Sequence, residues 1–228
     1  MVFFNNFFMH KSVQNLINIK SSIKSKLLEL KFKHKLPKII AVSKTFKIDH
    51  ILPLIEYGHI DYGENKVQEA IEKWSEIKNK NNKIKLHLIG KLQTNKVKFA
   101  IKLFDYIHSL DSEKLAKKIS EEQFKQNLKP KIFIQINIGN ESQKSGILRK
   151  DLIEFYYFSK KLGLDIVGTM CLPPMHENSS KYFSEMKDLN QKINLNEISM
   201  GMSGDYLNAI EFRSTYLRIG SNIFGQRV

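Results

Sequence analysis

The side chains best suited to chemistry in this sequence stand where short apolar runs end. Lys44 closes the run KIIAVSK (38–44). An amine carried to the end of an apolar strand is partly withdrawn from water, which favours its neutral form and frees it to attack a carbonyl carbon as a Schiff-base lysine. The same position also suits a lysine that lays its methylenes over the strand end and keeps its ammonium in water. Two later runs end in GMSGD (201–205) and RIGS (218–221). Their small residues and hydroxyls, Ser203, Gly220 and Ser221 foremost, can hold a phosphate through backbone N–H groups and short side chains, although a Gly-Ser pair after a strand also makes a plain turn. Arg218, two residues before Gly220, projects from the same face of its strand and could approach a cofactor ring beside such a phosphate. Its alternative is an ion pair with a carboxylate such as Asp205 or Glu64.

These residues can act together only if the chain brings the ends of distant runs to one place. Eight β-branched runs recur: residues 38–44, 59–64, 85–90, 105–111, 131–138, 165–172, 197–202 and 215–220. Polar stretches with apolar residues at i, i+3 and i+4 separate them, among them VQEAIEKWSEI (67–77), EKLAKKISEEQF (113–124) and DLIEFYYFSKKL (151–162). Strands alternating with helices specify βαβ units and a parallel sheet. Eight such units close into a barrel whose chemistry lies at the C-terminal ends of the strands, and loops after strands seven and eight are the usual phosphate holders. Residues 13–30 also have helical period, so an extra helix precedes the first strand and could cap the barrel floor. The expected fold class is α/β, a single (β/α)8 TIM-type barrel with an extra N-terminal helix, spanning residues 1–228 as one domain. An open doubly wound sheet is the alternative, but no GxGxxG turn follows the first strand to favour a dinucleotide.

Composition narrows the function classes. The formal net charge is +14 over 228 residues. A charge of that sign suggests an anionic partner, yet the lysines are dispersed among abundant Asn and Ile, with no RNA-binding motif and no Arg-rich arm. Neither a nucleic-acid partner nor a membrane is expected. The single cysteine, Cys171, excludes an intrachain disulfide framework and argues for a reducing, cytoplasmic setting. The opening MVFFNNFFMHK lacks the basic, apolar and small-residue regions of a signal peptide, and no apolar run approaches the roughly 20 residues of a membrane span.

Seven segments in order carry a resemblance: AVSKTF (41–46), YGENKVQEA (62–70), HLIGKLQTNK (87–96), IHSLD (107–111), IQINIGNESQKSGI (134–147), ISMGMSGD (198–205) and AIEFRSTYLRIGSNIFGQR (209–227). Together they resemble the pyridoxal phosphate homeostasis protein family, free-standing relatives of the alanine racemase N-terminal barrel. The resemblance implies that pyridoxal 5'-phosphate (PLP) is the cofactor and Lys44 its Schiff-base lysine. It further implies that Asn65 lies near the ring's phenolic oxygen, that Ser203 with the Gly220 and Ser221 backbone holds the phosphate, and that Arg218 faces the pyridine nitrogen. Ser214 and Thr215 begin strand eight and read as structural residues near the barrel floor. Arg213 stands where the family has a glycine before Ser-Thr, Lys91 replaces the proline of a Gly-Pro-Leu-Gln run, and Gln143 takes a Ser-like position. Of these, Arg213 bears on the backbone, because glycine there marks a positive φ.

The same assignments bear on turnover. A guanidinium only donates, so Arg218 disfavours protonation of the ring nitrogen and weakens the cofactor as an electron sink. Racemases of this barrel tolerate the arginine by using two bases, the second a tyrosine from a C-terminal β-domain reached across a dimer interface. This sequence ends at Val228, just past strand eight, so neither that domain nor that dimer is expected, and the chain reads as a monomer. Tyr62 and Tyr206 read as packing residues, and His87 as a hydrogen-bonded structural one. The function implied is a PLP carrier in intracellular vitamin B6 homeostasis, supplying apo PLP-dependent enzymes without efficient turnover. A PLP-dependent amino-acid racemase of low activity is the alternative, and an RNA-associated protein without cofactor a third.

Overall fold

The computed structural model describes residues 9–32 and 35–226. The readings of the first eight residues, and the closing Arg227 and Val228, lie outside the described residues. All eight expected strands form: β1 (Lys38–Val42), β2 (Asp61–Glu64), β3 (Lys85–Leu88), β4 (Tyr106–Leu110), β5 (Lys131–Ile136), β6 (Asp165–Cys171), β7 (Glu197–Met202) and β8 (Tyr216–Ile219). They pair in sequence order, all parallel, and β8 returns to β1 with Lys38 opposite Tyr216 and Ala41 opposite Ile219. The sheet is therefore a closed barrel and not the open alternative. Every residue of β2, β4 and β8 is buried, as strands covered on both faces must be.

The helices α1 (Lys11–Glu29), α2 (Ile48–Glu56), α3 (Val67–Lys80), α4 (Val97–Leu103), α5 (Glu113–Gln126), α6 (Leu152–Lys161), α7 (Ser179–Lys192), α8 (Tyr206–Glu211) and α9 (Ser221–Phe224) surround it. The first of them departs from expectation. Instead of capping the floor, α1 packs against α2, α8 and α9. Val13, Leu16, Ile19, Ile23 and Leu27 form its buried stripe, and Asn15 Nδ2 donates to the Ile223 carbonyl at 3.0 Å. The physical reason lies at the other end of the chain: α8 has six residues and α9 four, too few to cover the outer faces of β8 and β1. The N-terminal helix fills that gap in the outer ring.

Strand alternation decides what faces the barrel interior. Ile40, Tyr106, Phe133, Met170 and Tyr216 pack there as a central cluster. Below them, Lys38 Nζ donates to the Tyr216 hydroxyl at 2.9 Å and lies over its ring. The barrel interior is therefore a filled core and not a pore.

Candidate functional site

At the mouth, the ladder of β1 ends at Val42, although the Ser43 N–H still donates to the Gly63 carbonyl at 3.0 Å. The chain then turns, with the Phe46 N–H on the Ser43 carbonyl at 3.2 Å. Lys44 therefore sits two residues beyond the strand, half-buried in the turn. Both of its neighbours are clamped. The Ser43 hydroxyl donates to Glu64 Oε1 at 2.8 Å, and the Thr45 N–H donates to Glu69 Oε1 at 2.6 Å. Lys73 Nζ, from α3, donates at 2.9 Å to the Ser43 carbonyl and to both carboxylates, while the Trp74 indole N–H adds a third bond to Glu64 Oε1. Burial works against a charged Glu69, but Lys73 and the Thr45 N–H hold its carboxyl below the ordinary range. Thr45 has φ +69°, a conformation β-branched residues avoid, and the clamp holds it there.

Across the mouth, Asn65 follows β2 and lies against Gly90, which follows β3. A Cβ at Gly90 would stand 2.3 Å from the Asn65 carbonyl oxygen, so only glycine allows the two loops to meet this closely. The loops after β7 and β8 are laced together by Ser203, whose Oγ accepts from the Gly220 N–H at 3.3 Å and the Asn222 N–H at 3.4 Å. Asn222 Nδ2 donates back to the Ser203 carbonyl at 2.9 Å. Gly201, at φ +90°, turns the end of β7 toward this junction.

Arg218 comes from β8 and is 4% exposed. Its Nη1 donates to Ser199 Oγ and its Nη2 to the Cys171 carbonyl, each at 2.7 Å. It makes no ion pair among the described residues: the Asp205 carboxylate accepts from the Met202 N–H at 2.6 Å, and Glu64 points outward to α3. Burial lowers the guanidinium pKa from its ordinary value, opposed by Cys171 and Asp205. Burial likewise pushes the Cys171 thiol up to about 12, so it is not a nucleophile at neutral pH.

Lys44, Asn65, Ser203, Arg218, Gly220 and Ser221 all line one cavity of about 500 Å³, with Phe46, Ile89, Leu172 and Met202 as its apolar wall. That chamber suits a small anionic aromatic molecule, with an amine to bind it covalently, a cation buried at one side and a hydroxyl-and-amide junction at another. The donor set fits PLP. No described cluster of His, Cys, Asp or Glu could hold a metal ion, and no described helix is long and apolar enough to cross a membrane.

Other residues singled out by the sequence lie elsewhere. Tyr62 is buried outside the barrel against Trp74, its hydroxyl donating to the His59 carbonyl at 3.0 Å. His87 is fully buried in the interior. The Ser214 hydroxyl donates to the Met200 carbonyl at 2.7 Å, and the Ile198 N–H donates to Thr215 Oγ1 at 2.8 Å, both on β7 and away from the cavity. Arg213 does adopt positive φ, +64°. The clamp of Glu64, Glu69, Lys73 and Trp74 was missed, although the i, i+4 spacing of Glu69 and Lys73 hints at the second pair. Asn222 carried no signal beyond following the RIGS turn.

The fold is that of the alanine racemase N-terminal barrel, and the family model for the alanine racemase N-terminal domain matches residues 20–228. A pyridoxal phosphate homeostasis protein of Aquifex aeolicus is 36% identical over 200 residues, covering 83% of this chain and 87% of that protein. One from Pasteurella multocida is 32% identical over 225 residues, covering 94% and 97%. The chain belongs to the pyridoxal phosphate homeostasis protein family. Among solved structures, PipY of Synechococcus elongatus with PLP bound matches with a TM-score of 0.76 and 29% identity, covering 89% of this chain and all of that one. An alanine racemase of Clostridium difficile shares the fold at a TM-score of 0.72 and 17% identity, with 95% of this chain on 57% of that one.

Proposed function

We propose that this protein holds PLP on Lys44 and serves intracellular PLP homeostasis, as a carrier with no efficient turnover. The observation that carries the reading is the convergence of Lys44, Arg218 and the Ser203–Gly220 junction on one cavity. When bound, PLP would supply an aldehyde with which the Lys44 amine could form a Schiff base. The chain's own residues do the rest. Ser203, with the Gly220 and Ser221 backbone, would hold the phosphate, Arg218 would face the ring nitrogen as a donor, Asn65 would lie by the phenolic oxygen, and the apolar wall would limit water. The PLP bound in PipY supports this assignment by relation.

Two features support slow turnover. A donor-only guanidinium requires the ring nitrogen to accept and so keeps it unprotonated, and Lys44 and Arg218 are the ionisable side chains that line the cavity among the described residues. A two-base proton transfer needs a further group on the opposite ring face. The protein acts in the cytoplasm as a monomer, one PLP-binding barrel over residues 1–228, with apo PLP-dependent enzymes as recipients and neither nucleic acid nor membrane as partner. The buried Cys171 suits that compartment.

Purified protein is expected to be yellow, and borohydride should fix the label on the peptide containing Lys44. Lys44→Ala should remove the colour while leaving the far-UV spectrum of the fold unchanged. Colourless protein that added PLP cannot load would overturn the reading. The racemase alternative draws on the fold shared with alanine racemase. It would displace the carrier reading if the α-proton of alanine or serine exchanged in deuterated water at about 1 per second or faster.

A further inference from the structure

Inward-facing polar residues of five strands form one continuous chain through the barrel interior, ending on Arg218. Ser199 Oγ, which accepts from Arg218 Nη1, lies 2.9 Å from His108 Nδ1. His108 Nε2 lies 3.0 Å from His87 Nδ1, and His87 Nε2 lies 3.0 Å from Asp61 Oδ1. Ser199, His108 and His87 are buried to 0% exposure, and Asp61 to 9%. Aromatic rings seal the sides: Tyr106 stacks on His87 at 4.3 Å and Phe133 on His108 at 4.2 Å.

Elementary donor counting gives the chain a direction. A guanidinium can only donate and a carboxylate can only accept, while a neutral imidazole has one donor and one acceptor. With Asp61 accepting, His87 must carry its proton on Nε2 and accept at Nδ1. His108 must then carry its proton on Nε2 and accept at Nδ1 from the Ser199 hydroxyl, whose oxygen accepts from Arg218. Every bond runs from Arg218 to Asp61, with both histidines neutral and in the Nε2–H form. Burial, which lowers the pKa of both rings, agrees with the neutral state. Arg218, which has no direct carboxylate partner among the described residues, thereby faces its counter-charge through four hydrogen bonds. Aligned bonds of this kind polarise one another.

We infer that Asp61, His87, His108 and Ser199 are positioning residues, which fix the Arg218 guanidinium at the edge of the cavity where it meets the ring of the bound cofactor. The inference rests on the PLP reading above. It assigns work to residues that do not line the cavity.

Nitrogen-15 NMR of histidine-labelled protein without PLP should show both rings neutral and protonated on Nε2 at neutral pH, each assigned by its single His→Gln variant. A Nδ1–H ring or an imidazolium at either position would overturn the chain. Ser199→Ala removes one hydroxyl with little change in packing. It should weaken PLP retention about tenfold, the effect of one charge-assisted bond, and shift the visible absorption of the loaded protein. Ser199→Thr should restore both. Asp61→Asn, at the far end, should shift the absorption as well, whereas Tyr106→Phe, which keeps the stacked ring but lies off the chain, should not. Loaded wild type with Ser199→Ala and Asp61→Asn indistinguishable from it would sink the positioning role alone. A wild type that takes no label on Lys44 would instead sink the PLP reading and with it the role toward the cofactor, leaving the NMR result to judge the chain itself.

Discussion

At the scale of single residues, the cavity draws on strained or buried groups held by their neighbours. Thr45 shows the exchange most directly. Its left-handed backbone costs roughly 1–2 kcal/mol for a side chain with a Cβ, and its side chain is exposed, so little packing offsets that cost. Thr45→Gly relieves the strain but adds chain freedom in the unfolded state, so the net gain should be about 0.5–1 kcal/mol, or roughly 2 °C in Tm by calorimetry. The same variant should release PLP faster, because the turn that aims Lys44 is no longer fixed. A fall in Tm, or unchanged retention, would show that the conformation at Thr45 does not serve the lysine.

Among elements, α3 carries more of the site than its distance from the cavity suggests. Lys73 is 8% exposed in its side chain and answers a Glu64 that is fully buried. Removing one member of a buried pair leaves an uncompensated charge, which costs about 3–5 kcal/mol, while replacing both members costs far less. Lys73→Met should therefore lower the urea midpoint strongly, and Glu64→Gln combined with Lys73→Met should recover much of the loss. If the double variant is as unstable as the two single losses added, Lys73 acts by packing its methylenes and not by charge. Because Lys73 also holds the Ser43 carbonyl, both variants should loosen Lys44 and weaken PLP retention.

Across the whole molecule, the fold buries histidines that stay neutral, His87 and His108 inside the barrel and His59 outside it. Burial lowers the pKa of His59 from 6.5 to about 4 and lowers those of His87 and His108. Below pH 6.5 the unfolded chain takes up protons that the folded chain refuses, so folding stability falls as pH falls. For His59 the loss accumulates from pH 6.5 down to about 4, where the folded state also protonates, and amounts to ~3 kcal/mol. The other two histidines add in the same direction. Urea midpoints measured between pH 7 and pH 5 should therefore drop steadily, and a flat profile would mean that these rings are charged or solvated in the folded protein.

How much of this was legible in the sequence varies with range along the chain. The eight strands could be read because a parallel barrel buries both faces of each strand and so leaves a β-branched run at every one. Lys44, Ser203, Arg218, Gly220 and Ser221 were found at or beside the ends of those runs for the same reason, whereas Asn65 came only from the family resemblance; all six line one cavity. The role of α1 was not legible, since an amphipathic helix records that it is covered on one side but not by what. Nor could sequence show that Asp61, His87, His108 and Ser199 connect to Arg218. Side-chain alternation along a strand is local and has a period of two, so the sequence alone determined which residues face inward and which stand at strand ends. Barrel closure and strand stagger set which of those inward residues meet across the interior, and only the tertiary structure decided that.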